Sequence, residues 1–483
     1  MLLRALLICI VCSLPLGCAS ISEPRPATKP SIIMIMTDDM VIGLVEHMPA
    51  VKELIVERGA TFSRAYFNDP LCCPSRSTIL TGKYAQNTGV TLNSHRQFYD
   101  AGNPASTFAV WLHEAGYRTA LVGKYLNGYP KPAPQSYVPP GWDHWIGRFP
   151  PADNAYGYKL NENGRVVEYG TAAADYAMDV YAREALAFIR QAVADNVPFL
   201  LELSVTAPHA PSTPAQRHGA LFPEKKALRP PSFNEVDVSD KPSFIRALNP
   251  LPTDRVAKID EQYRNRLRSL QAVDEAVRAI VDLLAKTGRL AGTYLVFTSD
   301  NGYVQGLHRA NGKGLPYEEV IRMPLYVRGP GIQPGLLLEH VVGNVDLAAT
   351  FAEWAGAAVP DDLDGRSLAP LLREGTLEST AGRQAYPLVY EKASPRVLQP
   401  NWRGVRTRDY LYVEYDTGEL ELYDMRSDPY QLQNKAGLAD PALLAHLAKL
   451  TAELSTCKGA ECRRLEDAPL EAGSIPLAYF SPP

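Results

Sequence analysis

The residues of this chain that could do chemistry fall into one short run and a set of isolated polar positions. The run is Leu71-Cys72-Cys73-Pro74-Ser75-Arg76-Ser77-Thr78-Ile79-Leu80-Thr81-Gly82-Lys83-Tyr84. Pro74 suits the first turn of a helix, because its fixed φ is helical and its missing N–H would be unpaired there anyway. The spacing predicts a helix over Ser75 to Leu80 that Gly82 stops, with Cys72 at or just before its start. Free N–H groups and the positive dipole end favour an anion at that place. Arg76, one turn in, can point back at the same spot. The isolated positions are Asp38-Asp39, Lys124, His209, Asp300-Asn301, His308 and Lys313. Asp38, Asp39, Asp300 and Asn301 offer hard oxygen donors, a set that suits Ca²⁺ or Mg²⁺. Lys313 lies in Asn311-Gly312-Lys313-Gly314, where the glycines let backbone approach a ligand closely, and Pro208 and Pro211 hold His209 in a non-helical segment. Taken singly, each has a plainer explanation: a cap or tight turn for the acidic pairs, a solvated loop for the lysines, a buried pair at a helix start for the cysteines.

These positions gain weight from the elements that precede them. Ser31 to Met36 is a nearly continuous apolar run, as expected of a central parallel strand buried on both faces. It ends in Thr37-Asp38-Asp39. Arg118 to Val122 reads as strand and is followed by Gly123-Lys124. Pro198 to Val205 reads as strand ahead of His209, and Tyr294 to Thr298 ahead of Ser299-Asp300-Asn301. Thr61 to Phe67 and Leu325 to Arg328 are further strands. Helices are predicted around Val51 to Ile55, after Thr107, over Asp175 to Ala192 and over Tyr263 to Leu284. Strands alternating with helices argue a doubly wound, mostly parallel α/β sheet. Ligands of such sheets bind beyond the carboxyl ends of the strands, so Asp38, Asp39, Lys124, His209, Asp300 and Asn301 can converge. After Arg383 the texture changes: Trp402 to Thr407, Leu411 to Tyr415 and Glu419 to Tyr423 are short alternating runs, consistent with antiparallel strands, and Ala442 to Leu454 reads as helix. The expected organisation is a signal over 1–19, a linker over 20–30, a catalytic α/β domain over 31–384 and a smaller α+β domain over 385–483. The Pro-rich loops Pro130 to Pro151 and Pro208 to Pro252 are long enough to line a substrate cleft.

The 483 residues have a net charge of −4, with Lys and Arg scattered, which argues against nucleic acid as a partner. Arg4, an apolar stretch over Ala5 to Leu16 and small residues after it form an export signal. Pro15-Leu16-Gly17-Cys18 resembles a bacterial lipoprotein box, in which Cys18 would be lipidated and tether the chain to a membrane. Cleavage after Ala19 is the competing reading. The expected location is outside the cytoplasm, periplasmic or secreted. Of the seven cysteines, Cys457 and Cys462 are expected to form a local disulfide in an exported protein.

Cys72-x-Pro74-Ser75-Arg76 resembles the sulfatase family, where this cysteine is oxidised to formylglycine, an aldehyde whose hydrate is the nucleophile. The register selects Cys72, since Cys73 lacks Pro at +2 and Arg at +4. The run through Thr81-Gly82-Lys83-Tyr84 resembles the glucosamine-6-sulfatase and endosulfatase branch. Gly306-Leu307-His308-Arg309 and Gly312-Lys313-Gly314-Leu315-Pro316-Tyr317-Glu318-Glu319 extend the resemblance, which covers most of Ser31 to Pro330. It implies an alkaline-phosphatase-like fold, one Ca²⁺ held by Asp38, Asp39, Asp300, Asn301 and the modified Cys72, and catalysis by Cys72, Arg76, Lys124, His209 and Lys313. It further implies substrate contacts from Lys124, His209, His308 and Lys313, and a formylglycine-generating or sulfatase-maturating enzyme as partner. The implied substrate is a sulfated carbohydrate such as N-acetylglucosamine 6-sulfate, ahead of an aryl sulfate ester. One departure stands out: Leu126 occupies the place of an arylsulfatase histidine. The rival readings are a phosphomonoester or phosphonate ester hydrolase, which would usually need two zinc ions and several histidines, and an exported glycan-binding protein without activity.

Overall fold

The computed structural model describes residues 29–151, 154–375, 382–392 and 397–469. The export signal, Cys18 and most of the linker lie outside the described residues. Strand β1 (Ser31–Thr37) is buried at every position and lies inside a ten-stranded sheet. The sheet also contains β2 (Ala60–Tyr66), β3 (Arg118–Gly123), β4 (His144–Arg148), β5 (Lys159–Glu162), β6 (Arg165–Glu168), β7 (Phe199–Ser204) and β8 (Thr293–Ser299). A short ribbon of β9 (Val304–Gln305) and β10 (Asn311–Gly312) leaves it, and β11 (Leu325–Arg328) and β12 (Leu336–Gly343) return to it. The strand order is β12-β2-β11-β8-β1-β7-β3-β4-β5-β6. Pairings of β1 with β7 and β8, of β3 with β7 and β4, and of β2 with β12 are parallel; β11, β5 and β6 pair antiparallel.

The register explains why distant residues meet. Thr37 is opposite Ser299, Met36 opposite Ser204, and Gly123 opposite Ser204. The carboxyl ends of β1, β3, β7 and β8 therefore form one row, and the residues that follow each strand emerge on one rim. Gly123 is required there: it has φ +116°, and a Cβ would lie 2.0 Å from the Ser204 carbonyl oxygen. Alternate residues of each central strand face opposite cores. Ile33, Ile35, Leu201, Leu203 and Phe297 pack under the helices Ala177–Ala194 and Thr253–Lys286. Ile32, Met34, Leu200 and Val296 pack with Phe108, Leu112 and Phe351 from the helices Phe108–Glu114 and Asp346–Ala355.

A separate antiparallel sheet follows: β13 (Ala385–Tyr390), β14 (Trp402–Thr407), β15 (Tyr410–Tyr415) and β16 (Leu420–Asp424). The helices Pro441–Leu454 and Ala460–Asp467 cover it, and a disulfide joins Cys457, in their connection, to Cys462 on the second. Arg383, almost fully buried, pairs with Asp346 (2.6 Å) and Glu466 (2.8 Å), tying the last helix to the start of the helix Asp346–Ala355. Two local expectations change. The turn over Lys52–Val56 is a π-helix rather than α. The loop expected from Pro130 to Pro151 contains β4, because its residues add to the sheet edge beside β3.

Candidate active site

Leu71 is extended (φ −126°, ψ 151°) and the helix Cys72–Thr81 starts directly after it, closed by Gly82 in the left-handed region. Pro74 is thus its third residue, still within the first turn, where no N–H partner is needed. All ten helical residues are buried. The two adjacent cysteines diverge. Cys73 accepts from the Asn127 N–H (2.9 Å), and its own N–H donates to Asn93 Oδ1 (2.9 Å). Cys72 Sγ instead lies 3.6 Å from Asp38 Oδ1 and accepts from Lys313 Nζ at 2.8 Å. Burial, with Asp300 and Asp38 nearby, pushes the Cys72 thiol well above its usual value.

Three carboxylates surround that sulfur. Ligand atoms of Asp38, Asp39, Cys72 and Asp300 lie within 4.8 Å of one another, and all four residues are buried. Asp39 has φ +65°, a costly conformation for a residue with a side chain. Its N–H donates to Asp300 Oδ1 (3.1 Å), and Arg266, from the Thr253–Lys286 helix, donates to its carbonyl. Asp39 Oδ1 accepts from Asn301 Nδ2 (2.6 Å) and Lys313 Nζ (2.5 Å). Asp38 Oδ2 pairs with Lys124 and lies 3.5 Å from Arg76. Burial would raise the Asp38 carboxyl, but Lys124, His209 and Arg76 outweigh it and hold the group at about 2.

Arg76 is fixed on three sides. Its Nε donates to Asp300 Oδ2 (2.7 Å), and one terminal nitrogen donates to the Lys124 carbonyl (2.9 Å) and Ser204 Oγ (2.6 Å). His209 is partly exposed, with Nε2 3.6 Å from Asp39 Oδ2 and Nδ1 2.7 Å from the Ala210 carbonyl. Asp38, Lys124 and His209 line a cavity of about 240 Å³, together with Leu126, Arg148 and Pro150. His308 is placed differently. It is buried, its Nδ1 is 2.6 Å from Glu235, and its ring stacks 4.0 Å from that of Tyr317. Burial lowers its pKa despite Glu235. His308 is not among the cavity-lining residues.

The cluster fits a hard dication on its own chemistry. The Asn301 amide oxygen is buried without a hydrogen-bond partner beside three carboxylates, and oxygen-rich sets of this kind suit Ca²⁺. Sequence reasoning missed Ser204, Arg266 and Arg148. Ser204 had a usable signal, as the polar end of a buried strand. The other two are single arginines without a motif.

The sulfatase family model matches residues 30–357, and a model described as N-sulphoglucosamine sulphohydrolase, C-terminal, matches 306–459. N-acetylglucosamine-6-sulfatase of Homo sapiens is 33% identical over 490 residues, covering 92% of this chain and 88% of that protein. The extracellular sulfatase SULF-1 homolog of Drosophila melanogaster is 37% identical over 353 residues, 71% of this chain. The chain spans 31% of the length of that relative. A solved structure, described as a complex with its substrate D-glucosamine-2-N,6-O-disulfate, superposes with a TM-score of 0.74 at 26% identity. It covers 88% of this chain and 97% of its own.

Proposed function

The chain belongs to the sulfatase family, and from that premise we propose that it hydrolyses a sulfate monoester of a sugar, with formylglycine at position 72 and one Ca²⁺. The observation that carries the reading is the convergence of Asp38, Asp39, Asp300 and Cys72 within 4.8 Å, with Arg76, Lys124 and Lys313 paired to them. Asp38, Asp39, Asp300 and the Asn301 amide oxygen would hold the Ca²⁺. When present, formylglycine supplies a nucleophilic oxygen and Ca²⁺ a Lewis-acid contact that a cysteine thiol cannot. The chain's own residues do the rest. Arg76, rigid between Asp300 and Ser204, orients sulfate oxygens at the helix start. Lys124 and Lys313 offset the negative charge that grows on them in the transition state. His209, which lines the cavity 3.6 Å from Asp39, or Lys313 donates a proton to the departing alcohol. Leu126 lines the cavity where an arylsulfatase would place a histidine, so a further imidazole is not supplied from that position.

A sugar sulfate is favoured because N-acetylglucosamine-6-sulfatases are similar over nearly the whole chain. We further propose maturation by a formylglycine-generating or sulfatase-maturating enzyme, and export through the N-terminal signal. Among the described residues no helix is long and apolar enough to cross a membrane; the membrane attachment we propose is a lipid on Cys18.

Two measurements test this. Mass spectrometry of the tryptic peptide Ala65 to Arg76, from a host that oxidises the motif, should find aldehyde in place of thiol at position 72. Sulfate release from N-acetylglucosamine 6-sulfate should then require that modification and vanish in Cys72→Ala. Full activity in Cys72→Ala would overturn the proposal. Release of phosphate rather than sulfate would move the chain to the phospho-ester hydrolases.

A further inference from the structure

The cavity beside Lys124 is larger than one sulfate group. Beyond Lys124 its wall is built from apolar Leu126, Pro150 and Pro151 and from the neutral polar residues Asn127 and Thr206. Ring C–H groups of a sugar suit the first set, and its oxygens suit the second. Of the two polar residues, Asn127 is half-buried, whereas Thr206 is 6% exposed.

Asn127 is anchored from the nucleophile helix. Its backbone N–H donates to the sulfur of Cys73 at 2.9 Å, and its Oδ1 lies 3.6 Å from the same sulfur. Its carbonyl accepts from the His95 N–H at 2.7 Å. Cys73 is itself fixed. It has no exposed surface, it follows Cys72 in the helix Cys72–Thr81, and its N–H donates to Asn93 Oδ1 at 2.9 Å. Gly128, at φ +86°, turns the chain directly after Asn127.

The oxygen and nitrogen of a carboxamide diverge from one carbon. With Oδ1 turned to the Cys73 sulfur, Nδ2 is the atom left for the cavity that the residue lines. Backbone bonds on both sides of the peptide set this donor before any ligand arrives, so little entropy is lost on binding. The sulfate charge is met by Lys124 and Arg76. An uncharged amide beside them matches an uncharged oxygen.

We infer that Asn127 is a specificity residue that donates from Nδ2 to a neutral oxygen of the sugar, hydroxyl or ring oxygen, beside the carbon bearing the scissile sulfate, and that Cys73 is its positioning residue. This rests on reading the cavity as the sulfate-ester site.

The test uses Cys72→Ala with Ca²⁺ in excess, which needs no maturation and, under the proposed function, binds without turnover. Calorimetry gives Kd for N-acetylglucosamine 6-sulfate and for methyl sulfate, which has the same charged group and no sugar. The sugar sulfate should bind at least about tenfold tighter. Asn127→Ala should cut that ratio roughly three- to tenfold and leave Kd for methyl sulfate within about twofold. Asn127→Ser keeps a donor and should restore part of the ratio. Cys73→Ala should cut the ratio in the same direction, and Cys73→Ser, whose hydroxyl can accept the Asn127 N–H, should restore it. Added to Asn127→Ala, Cys73→Ala should cut the ratio no further, because a residue that acts through Asn127 then has nothing left to position. A ratio unmoved by Asn127→Ala would overturn the inference, as would the absence of any preference for the sugar. Equal losses on both ligands are what a structural role alone predicts, and they too would overturn it. Additive losses from Cys73→Ala would strike out its positioning role. Failure of the matured protein to release sulfate, together with no binding of methyl sulfate, would sink the sulfate-ester reading and the inference with it. Methyl sulfate binding with an unmoved ratio would sink the inference alone.

Discussion

Lys313 bridges Asp39 and the Cys72 sulfur, yet its backbone is flanked by Gly312 at φ +149° and Gly314 at φ +77°. Glycines on both sides leave the lysine free to wander unless something else holds it. That support comes from residues 86 and 88 positions away. Gln399 donates to the Lys313 carbonyl (3.0 Å), and the Trp402 indole N–H donates to the Gly314 carbonyl (2.9 Å). The Tyr390 ring lies so close that a Cβ on Gly314 would stand 2.5 Å from it. Trp402→Phe keeps an aromatic ring against Tyr390, now 6.0 Å away and nearly parallel, and removes only the N–H. The buried Gly314 carbonyl then loses that partner, at a cost of about 1–3 kcal/mol. If the loop relieves this by shifting Lys313 from its position in the transition state, each 1.36 kcal/mol is tenfold in rate, so kcat falls roughly five- to 150-fold. Gln399→Leu should act in the same direction. The assay is kcat and KM for sulfate release with Ca²⁺ in excess, alongside the thermal midpoint. A midpoint that drops while kcat stays within twofold would refute the reasoning: the bond would then stabilise the fold without setting the lysine.

Other consequences are as direct. Arg383→Met leaves Asp346 and Glu466 buried without their main cation; the loss should be about 3–5 kcal/mol, read as a lower urea midpoint, and an unchanged midpoint would contradict it. Glu202 on β7 is buried, and burial, only partly offset by Arg76, raises its carboxyl to about 7. Its contribution is present below the unfolded value of 4.5 and is lost as pH rises through about 7. Glu202→Gln should therefore be the more stable protein at pH 8, by on the order of 3 kcal/mol, and no more stable at pH 4.5; equal midpoints at both pH values would exclude this. Ca²⁺ at a hundred times its Kd should stabilise the matured protein by about 2.7 kcal/mol, and Asn301→Ala should reduce that gain in a calorimetric scan; stabilisation indifferent to Asn301 would place the ion elsewhere.

What could be read from the sequence, and what could not, divides along physical lines. β1, β3, β7 and β8 were legible because strands buried on both faces are mostly apolar runs, and each is followed closely by a polar residue. That ending marked Asp38, Lys124 and Asp300 before any contact was known. The edge of the sheet was not legible. β4 lies within a Pro-rich stretch, and β5 and β6 are four residues each, too short to show a period. β12 and the helix Asp346–Ala355 were also missed, since short apolar runs fit either state. Arg266 lies in a 34-residue helix whose other arginines are mostly surface groups, so nothing in its spacing distinguishes the one that reaches Asp39. Gln399 and Trp402 carry no local signal, because their role exists only once a second sheet docks against the first.

The charges at the site support one argument about how its parts depend on each other. Asp38, Asp39 and Asp300 carry three negative charges, and Arg76, Lys124 and Lys313 carry three positive ones, paired almost one to one. These six groups alone balance, the buried Arg266 at the Asp39 carbonyl adds one further positive charge, and the two lysines are occupied. Lys124 sits on Asp38, and Lys313 on Asp39 and the Cys72 sulfur. A nearly balanced, self-satisfied cluster has little reason to attract a sulfate ester. A dication held by the same carboxylate oxygens would change both terms. It would raise the charge of the site by two units and compete with the ammonium groups for Asp38 and Asp39, releasing those groups toward the substrate oxygens. On the proposed function the lysines would then be substrate ligands only in the metal-loaded protein, with anion affinity and metal affinity linked through the same two carboxylates.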